Sequence, residues 1–289
     1  MVRKAIFYEN RTISTDYELT KLRAFQPSSS RAYELMSLPT ILLTNIATHE
    51  LISAQENMTK MKIIDLSHTI HNDIQTYPGD PVPSIQRGLT HENDYCHVDL
   101  LTLGSHTGTH IDAPFHFLKD GKKIDEFPVQ RFVGDGVLID VSAKSDRDLI
   151  EPGDVKPYKN AIAAGDFVIF KTGRDKYFGT AKYYRHPYLS PEGAQLLLKM
   201  GVSLVGIDAM NIDPTYYNSK DSDPSATELP DEAEYGYPVH DILLGNDILI
   251  VENLCNLDKI EQVKGVYSFL PLKLKDSDGS PIRAVFFDR

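Results

Sequence analysis

Three histidines and an aspartate fall within eleven residues in the stretch Ser105-His106-Thr107-Gly108-Thr109-His110-Ile111-Asp112-Ala113-Pro114-Phe115-His116, in a chain with only ten histidines. On a helix, His106 and His110 would share a face, but at about 100° per residue Asp112 would point away from them. Gly108, Pro114 and the β-branched Thr107, Thr109 and Ile111 also disfavour a helix. In an extended chain side chains alternate with a period of two, so His106, His110 and Asp112 project from one face. Gly108, with no side chain, leaves space there for an ion. Two imidazoles and a carboxylate suit Zn²⁺, Mn²⁺ or Fe²⁺. Three protein ligands leave a position for water, as in catalytic rather than structural sites. Such an ion lowers the pKa of bound water from about 15.7 to about 7. His116, beyond the turn at Pro114, is placed to bend back and carry protons. A lone histidine is more often an ordinary polar residue; four such groups on one stretch argue for a metal site.

A cluster of this kind needs a rigid frame. Strands are expected at Lys62–Ser67, Val98–Leu103, Gly136–Val141, Phe167–Lys171, Ser203–Ile207, Ile248–Glu252 and Ile282–Phe287, most of them rich in Val, Ile or Phe. The clearest helix spans Pro191–Met200, with Ser190 as N-cap, Pro191 in the first turn and Gly201 at the left-handed exit. Many strands and few helices predict a mixed sheet-based α/β fold and exclude a helical bundle. Thr76–Pro81 and Asp213–Pro238 read as long surface loops of the kind that often line binding sites. Residues 1–60 lack sustained periodicity and contain Gln26-Pro27-Ser28-Ser29-Ser30. They are expected to form an appendage, disordered or helical in part and dispensable for the chemistry, with the working domain at 61–289.

A net charge of −11 disfavours nucleic acid and anionic membranes as partners. No apolar run exceeds four residues, so no membrane span is expected. Cys96 and Cys255 are too few for a disulfide framework, which fits a cytoplasmic setting. There is no G-x-S-x-G elbow and no phosphate-cradling glycine motif.

The histidine segment resembles the H-x-G-T-H-x-D-x-P-x-H signature of the putative cyclase family, which includes bacterial kynurenine formamidase and isatin hydrolase. His106, Gly108, Thr109, His110, Asp112, Pro114 and His116 all fit. The resemblance continues through Ile64-Asp65-Leu66-Ser67, Tyr77-Pro78-Gly79-Asp80, Thr172-Gly173, His186 to Pro191, Gly206-Ile207-Asp208, His240 to Leu244 and Val251-Glu252-Asn253-Leu254. It implies a layered β/β/α sandwich of mixed sheets with a few flanking helices, and a homodimer or larger assembly. It also implies one or two ions, Zn²⁺ or Mn²⁺, held by His106, His110 and Asp112, with Asp112 bridging when two are present. His240 and Glu252 would complete the set, and His116 would act as acid and base. Glu252 closes the apolar run Ile248-Leu249-Ile250-Val251, where a buried carboxylate needs a compensating partner.

The activity implied is hydrolysis of a small amide, first an aryl formamide such as N-formylkynurenine in tryptophan catabolism, second a cyclic amide such as isatin. A metal-binding protein without turnover is the non-enzymatic alternative. Two departures bear on substrate. Tyr77 stands where formamidases carry tryptophan, making it a candidate aromatic wall for substrate, and Asn211 stands where the family often has serine. The Asp213–Pro238 insertion adds a third difference.

Overall fold

The computed structural model describes residues 62–216 and 236–288. The expectations for residues 1–60 and for the interior of the Asp213–Pro238 loop lie outside them. The main element is a nine-stranded mixed sheet. In spatial order its strands are β1 (Lys62–Asp65), β13 (Val285–Asp288), β11 (Lys264–Ser268), β5 (Val133–Asp140), β7 (Phe167–Lys171), β9 (Leu204–Ile207), β10 (Leu249–Glu252), β4 (His110–Asp112) and β12 (Gly279–Pro281). The central four, β5, β7, β9 and β10, run parallel. Parallel neighbours need crossovers, and the two longest described helices, α1 (Pro191–Met200) and α2 (Pro238–Leu244), lie in those from β7 to β9 and from β9 to β10.

Strand alternation divides the interior in two. Val137, Ile139, Val168, Phe170, Val205, Ile207 and Ile250 point to the face covered by Ala194 and Leu197 of α1 and by Val239, Leu243 and Leu244 of α2. Leu138, Phe167, Ile169, Leu204, Leu249, Val251 and Ile111 point to the opposite face, where Phe269, Tyr267 and Phe286 complete the core. Both faces are therefore buried, as the continuous apolar runs in these strands require. The helix α1 is capped as expected: Ser190 Oγ accepts from Gly193 N at 3.0 Å, and Gly201 takes φ 73°.

The expected strand Ile282–Phe287 begins three residues later, as β13, and a separate strand, β12, precedes it. β12 pairs with β4 at one end of the sheet, whereas β13 pairs with β1 and β11 at the other. Only Ile282, Arg283 and Ala284 separate them, so the sheet curls until its ends nearly meet. Leu66 N donates to Ala284 O, extending the β1–β13 pairing, and Cys255 N, just beyond β10, donates to Leu66 O. The helix at Pro238–Leu244 was not anticipated, because its apolar residues are too few to show a period. The hairpin of β2 (Ser84–Leu89) and β3 (Val98–Thr102) forms a separate two-stranded sheet, as does β6 (Leu149–Ile150) with β8 (Tyr188–Leu189). No helix among the described residues is long and apolar enough to cross a membrane.

Candidate metal centre

The site is built where β4, β10 and β12 lie side by side. In the antiparallel register His110 faces Glu252 and Asp112 faces Ile250. His110, Asp112 and Glu252 therefore share one face of the sheet. His106 arrives differently. Residues 104–109 are turn rather than strand, and Gly108 reverses the chain at φ 66°. The space beside Gly108 is not left for an ion: a Cβ there would lie 3.1 Å from Ile74 Cδ1. Its glycine supplies the left-handed turn. This corrects the extended-face expectation for His106, although the side chain reaches the same place.

Among the described residues, two groups of ligand-type atoms share Asp112, each within 4.8 Å: His106, His110 and Asp112, and Asp112, His240 and Glu252. Asp112 Oδ1 lies 2.8 Å from His106 Nδ1 and 3.3 Å from His110 Nε2. Its Oδ2 lies 3.7 Å from His240 Nε2, which is 3.5 Å from Glu252 Oε1. One carboxylate thus offers one oxygen to each group. Both oxygens are fully buried and lack a hydrogen-bond partner.

The far nitrogen of each imidazole is pinned. His110 Nδ1 donates to Gly108 O at 2.8 Å, His240 Nδ1 to Asp213 Oδ2 at 2.8 Å, and His106 Nε2 to Asp278 Oδ2 at 2.9 Å. Such outer contacts fix the tautomer and aim the other nitrogen. Burial depresses the His110 pKa to about 4, against the pull of Asp112. Its Nε2 lone pair therefore faces the ionised Asp112 Oδ1 at 3.3 Å with no proton between them. That is repulsive unless a cation sits there.

The remaining electrostatics agree. Burial opposes charge on His106 and His240, yet Asp112 with Asp278 on the first, and Asp112 with Asp213 on the second, raise both to about 10. Burial and then the Asp112 charge push Glu252 up to about 8. Burial opposes ionisation of Asp112 too, but His106 and His110 hold it well below the usual carboxylate range. In the absence of a metal, protons supply the positive charge that this buried cluster demands. Its donor set fits one or two divalent cations of the borderline type.

His116 follows Pro114 in a single 3₁₀ turn and stacks on His106 with ring centroids 3.9 Å apart, its side chain 30% exposed. A cavity of about 190 Å³ opens over the cluster, walled by Tyr77, Phe117, Met210 and Tyr237, with Asp80 and Asn211 as further polar groups. The Tyr77 and Tyr237 hydroxyls are 2.9 Å apart, and Tyr77 Oη also accepts from Tyr216 N. All seven residues singled out in the sequence, Tyr77, His106, His110, Asp112, His116, His240 and Glu252, come together here. Asp213, Asp278, Phe117 and Tyr237 were missed. Asp213 and Tyr237 lie at the two ends of the long insertion, and Asp278 immediately precedes the short strand β12; neither signal marks a site without the fold.

A sheet-based α/β domain carrying linked histidine–carboxylate clusters at strand ends defines a class of cation-binding domain. The chain belongs to the putative cyclase family, whose sequence model matches residues 64–214. Kynurenine formamidase of Bacillus mycoides is 36% identical over 77% of this chain and 95% of its own. Isatin hydrolase A from Labrenzia aggregata superposes with a TM-score of 0.69 at 24% identity, over 83% of this chain and 98% of that one, a likeness of fold. A predicted metal-dependent hydrolase from Bacillus stearothermophilus gives 0.63 at 28% identity, over 79% and 99%.

Proposed function

We propose that this protein is a metal-dependent amidohydrolase that opens a small aryl formamide of the N-formylkynurenine type. His106, His110, Asp112, His240 and Glu252 would hold one or two divalent ions, Zn²⁺ or Mn²⁺. The observation that carries this reading is the pair of buried, unpartnered Asp112 oxygens facing imidazole nitrogens. When bound, the metal supplies Lewis-acid polarisation of a carbonyl and a nucleophile at neutral pH.

The protein's own groups do the rest. Phe117 and Tyr237, with ring centroids 5.2 Å apart, offer apolar walls to a flat ring. Tyr77 completes the wall and holds Tyr237 in place through its hydroxyl. A cavity of about 190 Å³ suits a small molecule rather than a peptide. His116, on the solvent side of the cluster, passes a proton to the leaving nitrogen, the task of a general acid in amide cleavage. Hydrolysis of N-formylkynurenine by protein reconstituted with each metal tests the reading. Formate release above the rate of metal-free protein is expected. Turnover of isatin alone would move the assignment to cyclic amides, and turnover of neither would leave a metal-binding protein.

Three subsidiary readings belong with it. The domain from Met61 onward carries the activity, and a chain beginning there keeps its metal. The protein self-associates through the β2–β3 hairpin, whose Val98, Leu100 and Leu101 are about half exposed, an apolar surface of the kind that marks protein contacts. Cys96 and Cys255 are both unpaired, which supports a cytoplasmic location.

A further inference from the structure

Asp278 touches both halves of the proposed chemistry. Its Oδ2 accepts from His106 Nε2 at 2.9 Å and from His116 Nδ1 at 3.2 Å. One carboxylate oxygen therefore serves an imidazole of the metal cluster and the imidazole stacked upon it. The segment that delivers it is built for close approach. Ala113 N donates to Asp278 O at 2.8 Å, and Gly279 stands opposite Asp112 in the β4–β12 ladder. A Cβ on Gly279 would lie 2.7 Å from Ile111 O and 3.1 Å from His106 Cε1, so only glycine lets the chain bring Asp278 this near.

We propose that Asp278 is the positioning residue for His116: it holds the proton on Nδ1 and so leaves Nε2 bare to accept and return a proton in the cavity. The role rests on the reading of His116 as proton carrier. The chemistry is that of an aspartate orienting a general-base histidine, where the wrong tautomer removes most of the activity. Asp278 simultaneously fixes the His106 ring, as carboxylates behind metal-binding imidazoles do. The competing use of His106, His116 and Asp278 is a further ion among the three. That would require His106 to bind metal through both ring nitrogens as an imidazolate, since its Nδ1 already faces Asp112.

The test is spectroscopic and kinetic, on full-length protein labelled with ¹⁵N-histidine and saturated with Zn²⁺. Long-range ¹H–¹⁵N correlation spectra at pH 8, with His116 assigned by its loss in His116→Asn, should show His116 protonated on Nδ1 only. In Asp278→Ala the same ring should move to the Nε2-protonated form that free imidazole prefers. Zinc content at saturation should be unchanged, KM should stay within about threefold and kcat should fall about 10²-fold or more, the lower end of general acid–base contributions. An unchanged His116 tautomer overturns the proposal, as does the loss of one zinc equivalent, which would make Asp278 a ligand. If Asp278→Ala fails to fold, Asp278→Asn removes the charge with the shape kept, and a wild-type kcat and tautomer in it overturn the proposal equally. Should wild-type protein hydrolyse no amide, the functional reading fails, while the tautomer comparison still decides what Asp278 does.

Discussion

Strand β4 and the β2–β3 hairpin are made of similar residues and meet opposite fates. β4 has three residues, His110, Ile111 and Asp112, all buried, two of them ionisable. β3 has five, Val98, Asp99, Leu100, Leu101 and Thr102, all exposed although three are aliphatic. The difference lies in the neighbours. β4 is paired on both edges, by β10 and β12, whereas β3 pairs only with β2 and all five of its residues stay exposed. A buried charged strand persists because its carboxylate and imidazoles compensate one another. An isolated hairpin is marginal in water, so its aliphatic side chains make sense as a contact surface.

Breaking the compensation at β4 should have the largest effect. Asp112→Ala removes an oxygen from both ligand groups, and hydrolysis should fall by at least about 10³-fold with metal content lost; a variant with normal metal content would show that β4 is buried for some other reason. Proton competition sharpens the same point. Without metal, and against burial, the neighbouring carboxylates raise His106 and His240 to about 10, and burial with the Asp112 charge raises Glu252 to about 8, so at pH 7 these sites hold protons that a bound metal must displace. Affinity should therefore rise with pH from 6 to 8, by about tenfold per unit for each displaced proton. Metal titration calorimetry in buffers of different ionisation enthalpy measures the proton count, and a pH-independent affinity would contradict the assignment.

A smaller effect is expected from Gly279→Ala. Its Cβ would press on the Ile111 carbonyl and the His106 ring, overpacking that costs about 1–3 kcal/mol, read as a lowered melting temperature. The hairpin marks the bottom of the scale. Leu100→Asp with Leu101→Asp should change the stability of the dissociated chain by no more than about 0.5 kcal/mol, as surface changes do, while sedimentation shows the assembly falling apart. A large loss of chain stability would mean that the hairpin packs on its own domain after all.

The contrast also explains what the sequence disclosed. Phe167–Lys171 and Pro191–Met200 were legible to the residue, because one is a four-residue apolar run closed by a lysine and the other carries a Ser-Pro start and a glycine stop. His106, His110, Asp112 and His116 were legible as a set of chemical types, although the extended geometry offered for His106 was wrong and the turn at Gly108 is what delivers it. His240 and Glu252 rested on family resemblance, since a single histidine in a short helix has no local mark. Asp213 and Asp278 were not legible. Each lies far along the chain from the imidazole it serves, Asp213 27 positions from His240 and Asp278 172 positions from His106, and only the fold brings them together.

The central claim is that the oxygens of Asp112 meet three imidazoles and Glu252 around metal. Crystals of the zinc-loaded protein, with diffraction measured on both sides of the zinc absorption edge, test it directly. Anomalous density is predicted on each side of the Asp112 carboxylate, one peak toward His106 Nδ1 and His110 Nε2 and the other toward His240 Nε2 and Glu252. Zinc found only elsewhere, with the Asp112 oxygens still bare, would contradict the account.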